Sequence, residues 1–187
     1  MQKLIILGGG TAGWMSANLL AHHLDPHRFE VFLVESPEIG TIGVGEGSTP
    51  HLKVFFDELN ITENEWMQAC NATFKNGISF VNWTSHLQPN RYFHPFPSST
   101  DRQTAAAFLT NCHMRFKGYD ISTNPDDYFL AAALSQSHLS PKIKLQDTRI
   151  PLNYAYHFDS SLLGQYLQKI AISKGVRHIS NKVTEIA

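Results

Sequence analysis

An α/β fold built on a parallel sheet is predicted by three features of the first 35 residues. A short apolar run, KLIIL (residues 3–7), stops at a glycine, as a strand buried on both faces does. A helical pattern from Ala12 to Leu24 places Trp14, Ala17, Leu20, Ala21 and Leu24 on one face, and Asp25 and Pro26 end it. A second apolar run, EVFLVE (30–35), follows directly. Together they make a βαβ unit, and such crossovers are right-handed.

The next segment, residues 37–50, reads as a loop. It contains IGVGEGSTP (42–50), in which Gly43, Gly45 and Gly47 make a backbone that other groups can approach closely. Helical pattern resumes over 51–59 (HLKVFFDEL) and over 62–70, where TENE resembles a capping box. GISFVNW (77–83) alternates as a strand does. The aromatic and proline-rich QPNRYFHPFP (88–97) is expected to be an irregular, substrate-facing or interdomain segment.

Helices are expected over 104–114 and 126–136, and residues 138–153 look loop-like. YAYHF (154–158) reads as a strand. Asp159 then caps an amphipathic helix over 160–174, with Leu162, Leu163, Tyr166, Leu167 and Ile170 on its apolar face, and Gly175 ends it. VRHI and KVTEI read as two more short strands. A sheet of this kind normally holds more parallel strands than these, so the sequence reads as the front portion of a longer protein or as a deliberately cut piece of one.

Composition narrows the function. Hydrophobic residues make up 42% and charged residues 17% of 187 residues, which is globular rather than disordered. The net charge is −1 and no basic run occurs, which argues against nucleic acid or an anionic membrane as partner. Cys70 and Cys112 lack CxxC spacing and read as two unpaired thiols in a reducing, cytoplasmic setting. The N-terminal apolar run is too short for a signal peptide, and no stretch approaches the ~20 apolar residues of a membrane helix. Among ten histidines, His22 and His23 are adjacent and point about 100° apart on a helix. There is no HExxH, and no metal site is expected.

The strongest local signal is GGGTAGWM (8–15). Gly8, Gly10 and Gly13 stand in GxGxxG register between a strand and a helix. The first permits a tight turn, the second close approach to a pyrophosphate, and the third close helix–strand packing. The phosphates then sit at a positive helix N-terminus. Glu35, 22 residues after Gly13, ends the second strand where an acid holds a ribose hydroxyl. The pattern predicts dinucleotide binding and leaves NAD and FAD both open.

Four motifs in order, GGGTAGWM (8–15), IGVGEGSTP (42–50), CNATFKNGISFVNW (70–83) and YAYHFDSSLLGQYLQKIA (154–171), resemble the FAD-dependent tryptophan halogenases. The resemblance runs over essentially the whole chain and matches the N-terminal part of that family. It implies a Rossmann-like FAD-binding domain of flavin-monooxygenase type, incomplete here, with helical substrate-module segments. The FAD-binding segments are then about 1–50 and 154–187, and the substrate-module segment about 51–153.

The implied activity is halogenation of a tryptophan-like or indole-like ring. Reduced FAD from a separate flavin reductase, oxygen and chloride or bromide give hypohalous acid, which passes through a tunnel to a lysine. By motif Lys75 matches that lysine. Partial burial beside ISFVNW lowers a lysine's pKa and makes it a better donor or nucleophile. The resemblance adds Thr11, Ala12, Thr41, Val44, Gly45, Glu46, Gly47 and Val183 to the cofactor contacts. Backbone N–H groups from Gly45 to Ser48 are expected to face the flavin ring. The family usually reads GEAT where this chain has GEGS, so the loop gains a glycine. YFHPF matches a His-x-Phe segment, which makes His94 and Phe96 the residues expected to stack on the substrate ring.

Expected partners are an aromatic small molecule, a transient flavin reductase and a second copy in a homodimer, without nucleic acid or membrane. Two other readings stay open: a monooxygenase or other oxidoreductase on the same scaffold, and a truncated, non-catalytic FAD-binding or interaction module.

Overall fold

The structure is a computed structural model, and it describes residues 1–39, 45–83, 91–142, 144–145 and 148–185. In chain order, the first elements are β1 (Gln2–Leu7), α1 (Thr11–His23), β2 (Phe29–Glu35) and β3 (Gly45–Gly47). They are followed by α2 (His51–Glu58), α3 (Glu63–Ala69), β4 (Thr73–Lys75), β5 (Gly77–Val81) and β6 (Arg91–Pro95). Helices α4 (Arg102–Phe116) and α5 (Leu130–Gln136) come next, then the short strands β7 (Lys144–Leu145) and β8 (Thr148–Arg149). The chain continues through β9 (Ala155–Asp159), α6 (Ser160–Ser173) and β10 (Arg177–Ser180).

These elements form two compact units. The first comprises Met1–Gly47, Lys53–Thr73 and His157–Ala187; the second comprises Ser48–Leu52 and Phe74–Tyr156. The fold class is α/β, as the opening βαβ pattern predicts.

In the first unit a parallel sheet runs in the order β1–β2–β10. Helices α1 and α6 pack on each other. The buried Asn18 side chain ties them together: its Nδ2 donates to Trp14 O at 2.9 Å and to Leu167 O at 2.8 Å. A buried amide placed this way keeps its donors paired, which a buried polar group requires. Trp14, Ala17, Leu33, Leu163, Leu167 and Ala171 are buried in the same unit. A second core group stacks Phe56 on Trp66, with ring centroids 4.3 Å apart, and sets Phe158 edge-on to Trp66.

The ends of α6 follow their sequence signals. Asp159 Oδ1 accepts from the N–H groups of Ser161 and Leu162 at 2.8 and 3.0 Å. At the other end Gly175 takes φ +95°, its N–H donates to Ile172 O, and Val176 N–H donates to Ala171 O. This is the paired closure that a left-handed glycine allows.

The second unit holds the antiparallel hairpin β5–β6, in which Ile78 faces His94 and Phe80 faces Tyr92. Gly77 is needed at its open end, because a Cβ there would lie 2.4 Å from the Phe93 ring and 2.5 Å from His94 O. The buried Phe93 packs with Ala131 and Ala132 of α5. On the other face Phe80 stacks on Tyr92 and meets Trp83 and His94 edge-on.

Several elements differ from their sequence reading. β1 is not buried on both faces: it is an edge strand, and Ile5 and Leu7 are 69% and 56% exposed because no described element covers that face. Residues 91–95, expected to be irregular, are a strand; Tyr92, His94 and their neighbours find cross-strand partners in β5, and Pro95 comes last, where a missing N–H is tolerated. Residues 138–153 include the short pair β7–β8. The helix expected from residue 126 starts at Leu130, after a separate turn over Pro125–Asp127 in which Asn124 caps Asp126. TENE makes no capping bond at Thr62, because the Glu65 carboxylate accepts instead from Tyr166 Oη at 2.8 Å. KVTEI is not a strand over 182–185: after Asn181 N–H donates to Glu35 O, the chain leaves the sheet.

Cys70 and Cys112 are both free thiols. Burial, reinforced by the Asp159 carboxylate, pushes the Cys70 thiol up to about 11. That keeps it protonated and unreactive at neutral pH.

Removing the α6 cap by Asp159→Ala is expected to lower the unfolding free energy by about 1 kcal/mol in urea denaturation, while Asp159→Asn retains most of it.

Candidate functional site

In the first unit the βαβ turn frames an open cleft of about 1130 Å³. The turn works by close approach. Gly8 sits at φ +113°, a conformation that favours glycine, and its N–H donates to Val34 O at 2.8 Å. A Cβ on Gly13 would lie 2.0 Å from Gly8 O, so only glycine lets α1 start this near β1. Gly10 precedes the helix in an extended conformation, and a Cβ there would meet nothing within 4 Å. The space beside Gly10 belongs to the cleft, and the first N–H groups of α1, which no helix carbonyl can satisfy, come next in the chain.

Gly8, Gly10, Thr11, Ala12, Glu35, Glu46 and Val183 all line this cleft. Gly13 acts from behind, through its contact with Gly8. Gly45 and Gly47 are not among the lining residues; they belong to β3, which pairs antiparallel with β9, Gly45 opposite Asp159 and Gly47 opposite His157. Thr41 and Val44 lie outside the described residues. The N–H of Ser48, one of the loop amides expected to face a ring, instead donates to Tyr156 O at 2.9 Å.

The cleft also contains residues that sequence spacing does not single out. Gly9 lies between the fingerprint glycines, and a Cβ there would fall 1.5 Å from Glu35 Oε2. The Glu35 carboxylate therefore rests in a notch that only glycine leaves open. Met15, Ser36, Asn181 and Lys182 complete much of the wall. The third consecutive glycine and the GWM triplet were the available signals for Gly9 and Met15. For Asn181 and Lys182 none existed, because their place depends on the chain leaving β10.

The second unit holds a separate cluster around Lys75, the last residue of β4. Its Nζ donates to Ser48 O at 3.1 Å and lies 5.8 Å from the centroid of the Phe96 ring, close enough for a cation–π attraction. Ser48 is itself anchored: its Oγ accepts from Tyr156 N–H at 3.1 Å. Burial lowers the Lys75 pKa below the ordinary lysine value. Phe96 is buried, whereas His94 is exposed and faces Phe80 on the hairpin. The structure brings Lys75 and Phe96 together; no described contact joins His94 to either.

Among the described residues no group of three or more His, Cys, Asp or Glu could hold a metal ion, and no helix is long and apolar enough to cross a membrane.

The family model of tryptophan halogenases matches residues 3–187. Tryptophan 7-halogenase RebH of Lentzea aerocolonigenes is 33% identical over 201 residues, which takes in 100% of this chain and 37% of that protein. Among solved structures, tryptophan 6-halogenase SttH of Streptomyces toxytricini superposes with a TM-score of 0.75 at 34% identity, over 100% of this chain and 36% of its own. A tryptophan halogenase of Shewanella frigidimarina does so with a TM-score of 0.77 at 31% identity, again over 100% of this chain and 37% of its own. The chain thus spans little more than a third of the length of these relatives. A match of this extent and identity, on top of the glycine turn and the lysine motif, makes the chain a member of the tryptophan halogenase family.

Proposed function

We propose that the chain is the cofactor-binding front portion of a flavin-dependent halogenase acting on tryptophan or a similar indole. The observation that carries this reading is Lys75: a partly buried ammonium group fixed between a carbonyl and an aromatic ring, in a family whose relatives are named for halogenation.

The first-unit cleft fits the ADP half of FAD. The bare face of Gly10 leaves room for a pyrophosphate, and the α1 N-terminus supplies N–H groups and a positive dipole end. Glu35, seated over Gly9, accepts the ribose hydroxyls. Thr11, Ala12 and Val183 wall the cofactor, with Gly13 holding the turn, and Glu46 of the glycine loop lines the same cleft. FAD, when bound in its reduced form, supplies with oxygen the oxidising equivalents that turn chloride or bromide into an electrophilic halogen. A separate flavin reductase provides that reduced form.

Lys75 acts on the oxidised halogen. Its ammonium is aimed by Ser48 O and Phe96, and its lowered pKa makes the Nζ proton easier to donate to the oxygen of hypohalous acid. Phe96, with His94, offers the aromatic surface against which an indole ring stacks.

In the full-length protein, reduced FAD, bromide and tryptophan or a panel of indoles are expected to yield a product with the bromine isotope pattern in mass spectrometry. Hydroxylated product alone would favour the monooxygenase reading, and absence of FAD binding would favour the non-catalytic one. Lys75→Ala is expected to lower halogenation by at least about 100-fold with FAD affinity unchanged, and Lys75→Arg to rescue little of it. Because Lys75 must be protonated to donate, halogenation should fall on the alkaline side through a pKa below the ordinary 10.5, a limb absent in Lys75→Ala. Gly9→Ala should displace the flexible Glu35 side chain and weaken FAD binding about tenfold with little loss of stability. Gly13→Ala meets the backbone and is expected to lower both; fluorescence titration and thermal melts separate the two effects.

A further inference from the structure

The Glu35 carboxylate is held from both sides. One oxygen, Oε2, lies over the Gly9 notch in the cleft. The other, Oε1, is 2.7 Å from Nε2 of His178, on the neighbouring strand β10. His178 does not line the cleft, so it reaches any ligand there only through Glu35.

The imidazole is itself fixed. Its ring meets Trp14 of α1 edge-on, with centroids 5.3 Å apart at 66°. Gln168 of α6 places its Nε2 3.4 Å from His178 Nδ1. Three elements thus orient one ring: α1, α6 and, through Glu35, β2.

The contact with Glu35 is close but is not an aligned hydrogen bond, since buried Nε2 has no partner of acceptable direction. A contact this short fixes where the carboxylate lies. Other charges nearby are matched elsewhere. Arg177 pairs with Glu30 of β2 at 2.7 Å, and Lys182 pairs with Glu38 at 3.0 Å. Trp14 and Gln168, the neighbours from α1 and α6, carry no charge. Among the described residues, Glu35 is the one charged group found in contact with His178.

We propose that His178 is a positioning residue for cofactor binding: its ring holds the Glu35 carboxylate over Gly9, oriented to accept the ribose hydroxyls of the adenosine half. This rests on the reading of the cleft as an FAD site.

The test uses the full-length protein and calorimetric titration with FAD. His178→Phe and the milder His178→Gln should weaken FAD binding about fivefold. His178→Arg, which can again meet Glu35, should restore affinity. At pH 7, His178→Gln should weaken ADP but not 2′,3′-dideoxy-ADP, which has no hydroxyls for Glu35 to hold. An unchanged FAD affinity in both the Phe and Gln variants would overturn the role of His178 and leave the FAD site standing. Equal losses for ADP and its dideoxy analogue would also overturn it, since they would mark a general structural effect. Failure of the wild type to bind either FAD or ADP would overturn the site reading and this inference with it.

Discussion

The approach of Gly13 to the carbonyl of Gly8 is the constraint on which the first unit depends. With 2.0 Å between that oxygen and the place a Cβ would occupy, no other residue lets α1 start there. The start of α1 sets where Trp14, Ala17 and Asn18 fall, and so where α6 packs through the Asn18–Leu167 bond. It also sets which backbone N–H groups stand free beside the cleft. One steric fact at the turn thus serves both the core and the ligand site.

Electrostatics then refines what sterics has opened. Glu35 closes β2, and a carboxylate at a strand end is by itself a solvated, swinging group. Gly9 and His178 remove that freedom from opposite sides. In the second unit the same logic applies to a cation. Ser48 is tied to the Tyr156 backbone through both its N–H and its Oγ, so its carbonyl becomes a fixed acceptor for Lys75. A long, flexible ammonium side chain gains direction from a backbone that cannot move away. Along the chain the glycine loop serves both units in turn. Glu46 lines the cleft of the first, and Ser48, two residues on, holds the lysine of the second.

Where the sequence reading fell short, local pattern was outvoted by partners distant in sequence. Residues 91–95 carry two bulky aromatics and a proline, which read as irregular until β5 supplies a cross-strand partner for each. Thr62 and Glu65 have the spacing of a capping box, but Tyr166, 101 residues away, claims the glutamate. KVTEI has strand composition, yet Asn181 closes on Glu35 and the segment becomes cleft wall instead. The hydrophobic run of β1 predicts burial on both faces, but burial depends on what lies across the sheet, and that is not written in the strand.

The sequence by itself determined the βαβ unit, the glycine turn, the Asp159 cap and Gly175 stop of α6, and the family. Each of these rests on chemistry within a few residues: a missing Cβ, a short carboxylate beside free N–H groups, a positive φ. Tertiary structure alone decided that Gly9 and His178 share one carboxylate, that Ser48 rather than a side-chain partner receives Lys75, and that Phe96 joins the lysine while His94 faces Phe80. These pairings link residues 14 to 143 positions apart or turn on which face of a hairpin a ring takes. Such choices are made by packing, and spacing along the chain does not encode them.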